Sequence, residues 1–305
     1  AQEKIIEINS LVKDFKKLRA VNNLNLSVYK GDVFGFLGPN GAGKSTTIRM
    51  LLSLIRQTSG TINLFGNSIS SDRKNILGKI GAIVEKPDFY NYLSAYKNLE
   101  ILGKLSGKEI SKHKIMQVLE LVGLDNRFDS KVKTFSHGMK QRLGLAQSLL
   151  HDPELIILDE PTTGLDPQGM KEIRDLITYL SKEKGKTLFL SSHILHEVEL
   201  VANRMIIISK GATKVEGDVK DLLNTKKLKV SFDVDNEQKA KELIFQSGWK
   251  EKFETNTKSV FVFYLENHEI SQLNKYFVDN NISISAVIPK RSLEDYFLKI
   301  TEEAS

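Results

Sequence analysis

Residues Gly38-Pro39-Asn40-Gly41-Ala42-Gly43-Lys44-Ser45-Thr46 fit the pattern G-x-x-x-x-G-K-[ST]. The apolar run before them, Val33-Phe34-Gly35-Phe36-Leu37, reads as a buried strand, and the run after them, Thr46 to Ile55, reads as a helix. A strand passing through a glycine-rich loop straight into a helix commits the chain to an α/β sheet with that loop at its edge. The glycines let consecutive backbone N–H groups turn inward around a phosphate chain. Lys44 is placed to reach the β- and γ-phosphates, and the Ser45 hydroxyl suits Mg²⁺. The helix N-terminus adds attraction for an anion. These residues imply that the chain binds a nucleoside triphosphate.

Apolar runs continue the sheet at Leu155-Ile156-Ile157-Leu158, Thr187-Leu188-Phe189-Leu190 and Arg204-Met205-Ile206-Ile207-Ile208. They are separated by helical patterns such as Gly169 to Lys184, which marks a mainly parallel sheet covered on both faces. Further strands are expected at Ile5 to Val12, Asn25 to Tyr29 and Gly60 to Leu64. From about 88 to 150 the apolar residues recur at helical spacing (Leu93, Tyr96, Leu99, Leu102; Ile115, Val118, Leu119, Val122), as in a helical insertion between strands. At 305 residues the chain exceeds one ordinary core. A division is expected near 220, with 1–220 the phosphate-binding domain and 221–305 a small accessory α/β domain. In the latter, strands are expected at Lys229 to Val234, Ser259 to Leu265 and Ile282 to Ile288, and a short one near Glu251 to Glu254. Helices are expected at Glu237 to Gln246, around Ile270 to Phe277, and from Ser292, where Leu293, Tyr296, Phe297 and Ile300 line one face.

Leu155 to Leu158 runs directly into Asp159-Glu160, placing two carboxylates at a strand end. The first can hold Mg²⁺, directly or through water, and the second can orient or deprotonate an attacking water. A buried carboxylate there without metal or donors would be costly. His193 follows the next strand within Ser191-Ser192-His193, and parallel strand ends share one edge, so it can stand near the phosphates with Glu160.

These motifs together resemble the ATP-binding subunit of ABC transporters over about residues 4 to 218. Phe135-Ser136-His137-Gly138-Met139-Lys140-Gln141-Arg142 is similar to the family signature LSGGQ followed by glutamine and arginine. Ser136 and Gly138 match it, whereas Phe135, His137 and Met139 replace the leucine, first glycine and first glutamine. Ser136 also suits a cap for a helix beginning at Gly138 or Met139. The resemblance implies a P-loop ABC ATPase core with a mixed, largely parallel sheet and a helical subdomain. It implies MgATP hydrolysis with Lys44, Glu160 and His193 as catalytic residues, and Mg²⁺ held by Ser45, Asp159 and Glu85. Glu85 stands where the family usually carries a glutamine. By the same resemblance Phe15 stacks on adenine, and Ser136, His137, Gly138 and Asp166 face a second ATP-binding subunit, the same chain or a different one. The aromatic run at Phe89, Tyr90 and Tyr92 is similar to the surface that receives a transmembrane permease subunit.

The ending Lys290-Arg291-Ser292-Leu293-Glu294-Asp295-Tyr296-Phe297, and the Ile83 to Tyr90 segment, resemble ABC-2 exporter ATPases, including antibiotic and lantibiotic resistance or immunity exporters. The function expected is ATP-driven export through a separate permease, at the cytoplasmic face of the cell membrane. The competing readings are a soluble ABC-type mechanoenzyme acting on nucleic acid or ribosomes, and a small-molecule kinase. The first calls for a coiled coil, tandem cassettes or a dense basic arm, and the net charge of +6 is instead scattered among nearly matched acids. No direct nucleic-acid partner is therefore expected. The chain has no cysteine, which excludes disulfide and thiolate chemistry. It shows no secretory leader and no run near the ~20 apolar residues a membrane span needs.

Overall fold

A hairpin of β1 (Lys4–Phe15) and β2 (Leu18–Tyr29) opens the structure, followed by β3 (Val33–Leu37), α1 (Lys44–Leu51), β4 (Ser59–Leu64) and β5 (Asn67–Ser68). The computed structural model describes residues 2–16, 18–85, 87–105, 110–223 and 228–290, with 293, 297, 298 and 302. Next come α2 (Arg73–Leu77), β6 (Ile80–Ile83), α3 (Ala95–Leu105), α4 (Lys112–Leu121), α5 (His137–Leu149), β7 (Leu155–Asp159) and α6 (Pro167–Lys182). β8 (Thr187–Ser192), α7 (Leu195–Glu199), β9 (Arg204–Ser209) and β10 (Ala212–Asp218) complete the first unit, Ala1–Asp218.

Two sheets make this unit. One is antiparallel, in the order β2-β1-β4-β5, and the other has the order β10-β9-β3-β8-β7-β6. In the second, β6, β7, β8, β3 and β9 run parallel, and β10 adds an antiparallel edge. Every residue of β3, β7 and β8 is buried, as a parallel sheet covered on both faces requires. Strand alternation sorts their side chains into two cores. Phe34, Phe36, Ile157 and Phe189 face α1 and the antiparallel sheet. Val33, Ile156, Leu158, Leu188 and Leu190 face the helices α3 to α6. Phe189 stacks on Phe34 at 5.8 Å between ring centroids and meets Phe36 at 5.2 Å.

Departures from the sequence reading are local. β5, β6 and β10 are additional strands; β5 has two residues, β6 only the four residues Ile80–Ile83, and β10 alternates only weakly in burial. α1 starts at Lys44, earlier than the pattern suggests, because Gly43 takes the left-handed conformation that turns the loop into the helix. α5 starts at His137, with Ser136 as its cap.

The second unit, Val219–Glu303, contains α8 (Val219–Leu223), β11 (Leu228–Val234), α9 (Glu237–Phe245), β12 (Phe253–Thr257), β13 (Val260–Leu265), α10 (Asn267–Asp279) and β14 (Ile284–Lys290). Its sheet is wholly antiparallel in the order β12-β13-β11-β14, so the β-α-β-β-α-β chain forms a ferredoxin-like layer. Val230, Phe232, Phe261 and Phe263 bury one face of that sheet with Ala240, Ile244, Leu273 and Phe277. Of the helix expected from Ser292, Leu293 and Phe297 are helical and buried. Arg291, Ser292, Glu294, Asp295, Tyr296 and Ile300 lie outside the described residues.

Candidate nucleotide-binding and hydrolytic site

The loop between β3 and α1 is shaped by glycines that no other residue could replace. Gly43 has φ 102°, and a Cβ there would lie 2.5 Å from the Ala20 carbonyl oxygen. A Cβ on Gly38 would lie 2.5 Å from the Ile208 carbonyl oxygen. α1 has no side-chain cap, whereas α4, α5, α6 and α9 are capped by Ser111, Ser136, Asp166 and Asn236. Its first N–H groups, which include those of Lys44 and Ser45, thus lack both an intrahelical acceptor and a cap. Lys44 is only 5% exposed, and its ammonium donates to the carbonyls of Gly38 at 2.7 Å and Pro39 at 3.1 Å. It also lies 3.2 Å from Glu160 Oε1. A buried cation persists only when so paired. An uncapped helix start, a backbone cradle and a buried ammonium together fit a triphosphate.

β7 brings the carboxylates to the same edge. In the β7–β8 register Asp159 stands opposite Ser191. The Ser191 hydroxyl donates to Asp159 Oδ1 at 2.5 Å and accepts from the Glu160 N–H at 2.9 Å. Glu160 turns sharply out of the strand with φ 48°. Its Oε2 accepts from the Thr163 hydroxyl at 2.9 Å and lies 2.7 Å from His193 Nδ1. Burial pushes the Glu160 carboxyl up, but Lys44, the Thr163 hydroxyl and His193 outweigh it and hold it below its ordinary value. The site therefore presents an ionised base.

Ser191 and Thr163 escape the sequence reading. Ser191 stands inside the segment Ser191-Ser192-His193 singled out for its histidine, Thr163 lies three residues past Glu160, and only the pairing of β8 with β7 and the turn after Glu160 give their hydroxyls a role. Among the described residues no group of three or more His, Asp or Glu side chains is arranged to hold a metal. One carboxylate, Asp159, with the Ser45 hydroxyl at the start of α1, is nevertheless the small donor set that Mg²⁺ uses when phosphate oxygens and water complete its shell.

Other expected site residues are placed as follows. Ser136 caps α5 by accepting from the Met139 N–H at 3.2 Å. His137 Nε2 lies 3.2 Å from the Thr163 carbonyl oxygen. Asp166 caps α6 through the Gly169 N–H at 3.1 Å, so its carboxylate has a helix to hold irrespective of any second subunit. Phe15 is 44% exposed at the end of β1, with Lys13 Nζ 4.8 Å from its ring centroid. The exposed Glu85 carboxylate pairs with Arg49 on α1. The aromatic surface needs correction. Phe89 is 8% exposed and belongs to the core beneath α3 to α5, because the turn that exposes Tyr90 and Tyr92 must fold its preceding ring inward. Tyr90 and Tyr92 remain exposed with ring centroids 6.1 Å apart, and buried Asn98 clamps the turn through both the N–H and the carbonyl of Tyr90.

A phosphate cradle, a magnesium-type donor pair and a hydrogen-bonded carboxylate at one sheet edge define a P-loop nucleoside triphosphatase. Residues 21–163 match the family model described as ABC transporter. The chain is 44% identical over 297 residues to the bacitracin transport ATP-binding protein BcrA of Bacillus licheniformis, covering 97% of each. It is 44% identical over 212 residues to the lantibiotic transport ATP-binding protein SrtF of Streptococcus pyogenes, covering 70% of this chain and 90% of that one. The dimeric structure of MJ0796, a bacterial ABC transporter cassette, superposes with a TM-score of 0.64 at 25% identity, over 70% of this chain and 98% of that one. The chain belongs to the ATP-binding subunits of ABC transporters. It is an ATPase that uses ATP with Mg²⁺ and serves a transporter.

Proposed function

We propose that this ATPase powers export of a peptide antibiotic, of the bacitracin or lantibiotic kind, through a separate membrane permease. One observation carries the reading: the likeness to the bacitracin transport protein extends over 97% of both chains and so takes in the C-terminal unit as well as the ATPase core. No helix among the described residues is long and apolar enough to cross a membrane, which leaves the translocation path to a partner. The chain then works as a peripheral subunit at the cytoplasmic face, with the exposed Tyr90 and Tyr92 against the permease.

In this reading Lys44 and the open N–H groups of α1 take the phosphate oxygens, which frees Glu160 Oε1 from the ammonium. Ser45 and Asp159 hold Mg²⁺, which when bound neutralises charge on the transferring phosphoryl group. Glu160 orients a water and accepts its proton, and the Thr163 hydroxyl and His193 fix the carboxylate's rotamer. His193 keeps its second ring nitrogen for a γ-phosphate oxygen. Ser136 and Gly138 bind the γ-phosphate held by the opposing subunit's Lys44, as in a head-to-tail pair. ATP closes that pair, and loss of the γ-phosphate lets it reopen.

The test is purification of the native complex from membranes in mild detergent, with its components identified by mass spectrometry. A polytopic membrane subunit is expected, in two copies with two ATPase chains, together with increased sensitivity to peptide antibiotics when the ATPase is deleted. Recovery of the chain alone, or with ribosomes or DNA, refutes the export reading.

A further inference from the structure

His137 occupies the first turn of α5, at the place where the signature pattern has its first glycine, and its side chain has a partner within the same chain. Nε2 lies 3.2 Å from the carbonyl oxygen of Thr163, which leaves that nitrogen as donor and the carbonyl as acceptor. The fit continues into the next residue. Gly164 has φ 77°, which favours glycine, and a Cβ there would press on the imidazole at 3.2 Å from His137 Nε2 and 3.4 Å from Cδ2, so the bare residue lets the ring sit close against the turn. One residue further on, the Leu165 side chain lies 3.7 Å from where a Cβ on Gly138 would stand. The turn after Glu160 thus rests on the first residues of the signature helix.

That turn also carries a hydroxyl to the carboxylate. The Thr163 N–H donates to the Glu160 carbonyl at 3.2 Å, closing a tight turn, and its Oγ1 donates to Glu160 Oε2 at 2.9 Å. Thr163 is solvent-exposed, so neighbouring packing does not fix it; its hydrogen bonds do. From α5 to the base the bonds run without a gap: imidazole to carbonyl, then hydroxyl to carboxylate. We propose that His137 is a positioning residue for hydrolysis, which holds Thr163 so that its hydroxyl keeps Glu160 in the rotamer that addresses water.

The proposal rests on Glu160 as the base and on nothing about which permease is served. Because His193 also holds Glu160 once MgATP has drawn Lys44 away, the loss expected on breaking the relay is partial. His137→Ala should lower kcat about fivefold, the value of one hydrogen bond, with KM for MgATP changed less than about twofold. His137→Gln, whose amide can donate to the same carbonyl, should restore kcat to within about twofold of wild type. Thr163→Val should cost about fivefold alone. The double variant His137→Ala/Thr163→Val should also cost about fivefold, against the roughly 25-fold of independent losses.

Steady-state ATPase kinetics on the full chain read all four, with circular dichroism to verify folding. Multiplying losses, a glutamine variant as slow as alanine, or an unchanged His137→Ala kcat each overturn the relay. A second measurement separates positioning from subunit contact: MgATP-driven dimerisation of Glu160→Gln with and without His137→Ala, by size exclusion. Dimerisation that survives His137→Ala supports the relay, and its loss assigns the residue to the subunit contact instead. Near-wild-type hydrolysis by Glu160→Gln itself would refute the base and not the hydrogen-bond chain.

Discussion

Ser191→Ala is the most informative single change, because one hydroxyl serves both carboxylate residues. Ser191 is fully buried, and its Oγ donates to Asp159 Oδ1 while accepting from the Glu160 N–H. Alanine fits the space and leaves no cavity of consequence, so the effect isolates two hydrogen bonds. The bond to the charged acceptor contributes about 1.5–3 kcal/mol and the neutral one about 1 kcal/mol, since each partner is left short of a donor or acceptor in a buried place. The expected destabilisation is therefore about 3 kcal/mol, which for a unit of this size lowers Tm by roughly 6–12 °C. Activity should fall further than stability explains at working temperature. The Glu160 N–H tie is what steadies a non-glycine residue at φ 48°, and its release lets the carboxylate wander. A kcat reduced about tenfold is expected, with a higher Mg²⁺ requirement as Asp159 loses its donor. Thermal unfolding and ATPase kinetics should be run beside Ser192→Ala, whose hydroxyl, among the described residues, bonds to the Ile194 N–H and carbonyl and to neither carboxylate. A Ser191→Ala protein with the Tm and kcat of the Ser192→Ala control would refute the reasoning.

Glu160→Gln should retain MgATP binding and lose at least about 100-fold in kcat, because shape survives while basicity does not; Lys44→Ala should instead weaken MgATP affinity by about 30-fold or more, as measured by equilibrium titration. Glu85→Gln should leave the Mg²⁺ titration of ATPase activity unchanged and stability within about 1 kcal/mol, since the carboxylate is spent on an exposed pair with Arg49. A lowered Mg²⁺ requirement would show that Glu85 reaches the ion after all. Phe89→Ala should destabilise the protein by about 3 kcal/mol or more in denaturant unfolding, as a buried ring does. Tyr90→Ala and Tyr92→Ala should change stability by only about 0.5 kcal/mol but reduce recovery of the membrane partner. Intact recovery with both tyrosines replaced would remove them from the interface.

The strands that carry the site were legible because their chemistry is one-dimensional. Val33 to Leu37 and Leu155 to Leu158 are buried on both faces, so burial shows as an unbroken apolar run, and the helix or turn that follows is marked by glycine, lysine and carboxylates. β6 and β10 were harder. The first spans Ile80–Ile83, too short for periodicity to identify, and the second lies at an edge where alternate residues face solvent. The same distinction runs through the site. Lys44, Asp159 and Glu160 belong to contiguous motifs. Ser191 matters only because β8 pairs with β7 in a register that sets it opposite Asp159, and Thr163 only because of the turn geometry after Glu160. Phe89 illustrates the converse: three aromatics within four residues suggest one surface, but the turn pinned by Asn98 buries Phe89 and leaves Tyr90 and Tyr92 exposed together.

Several ordinary rules of stable structure are broken at one end of the parallel sheet, each beside the next. A lysine is buried, a helix begins without a cap, a glutamate takes a left-handed backbone conformation, and a carboxylate is 7% exposed at a strand end. Each would cost stability alone. Together they offset one another: the ammonium of Lys44 answers Glu160, the Ser191 hydroxyl answers Asp159 and the Glu160 N–H, and the Thr163 hydroxyl and His193 answer the remaining glutamate oxygen. The start of α1 is the term left unanswered by the chain itself. Its unmatched N–H groups and the excess of donors around Lys44 make the edge a receptor for several negative oxygens on a short chain, and the rigid strands behind it keep the donors from collapsing onto one another. α4, α5, α6 and α9 carry side-chain caps, whereas α1, like the five-residue α2 and α7, does not. In the proposed mechanism, an open α1 start beside the paired Lys44, Asp159 and Glu160 makes triphosphate binding, and with it the release of Glu160 from Lys44, the favourable way to complete the site.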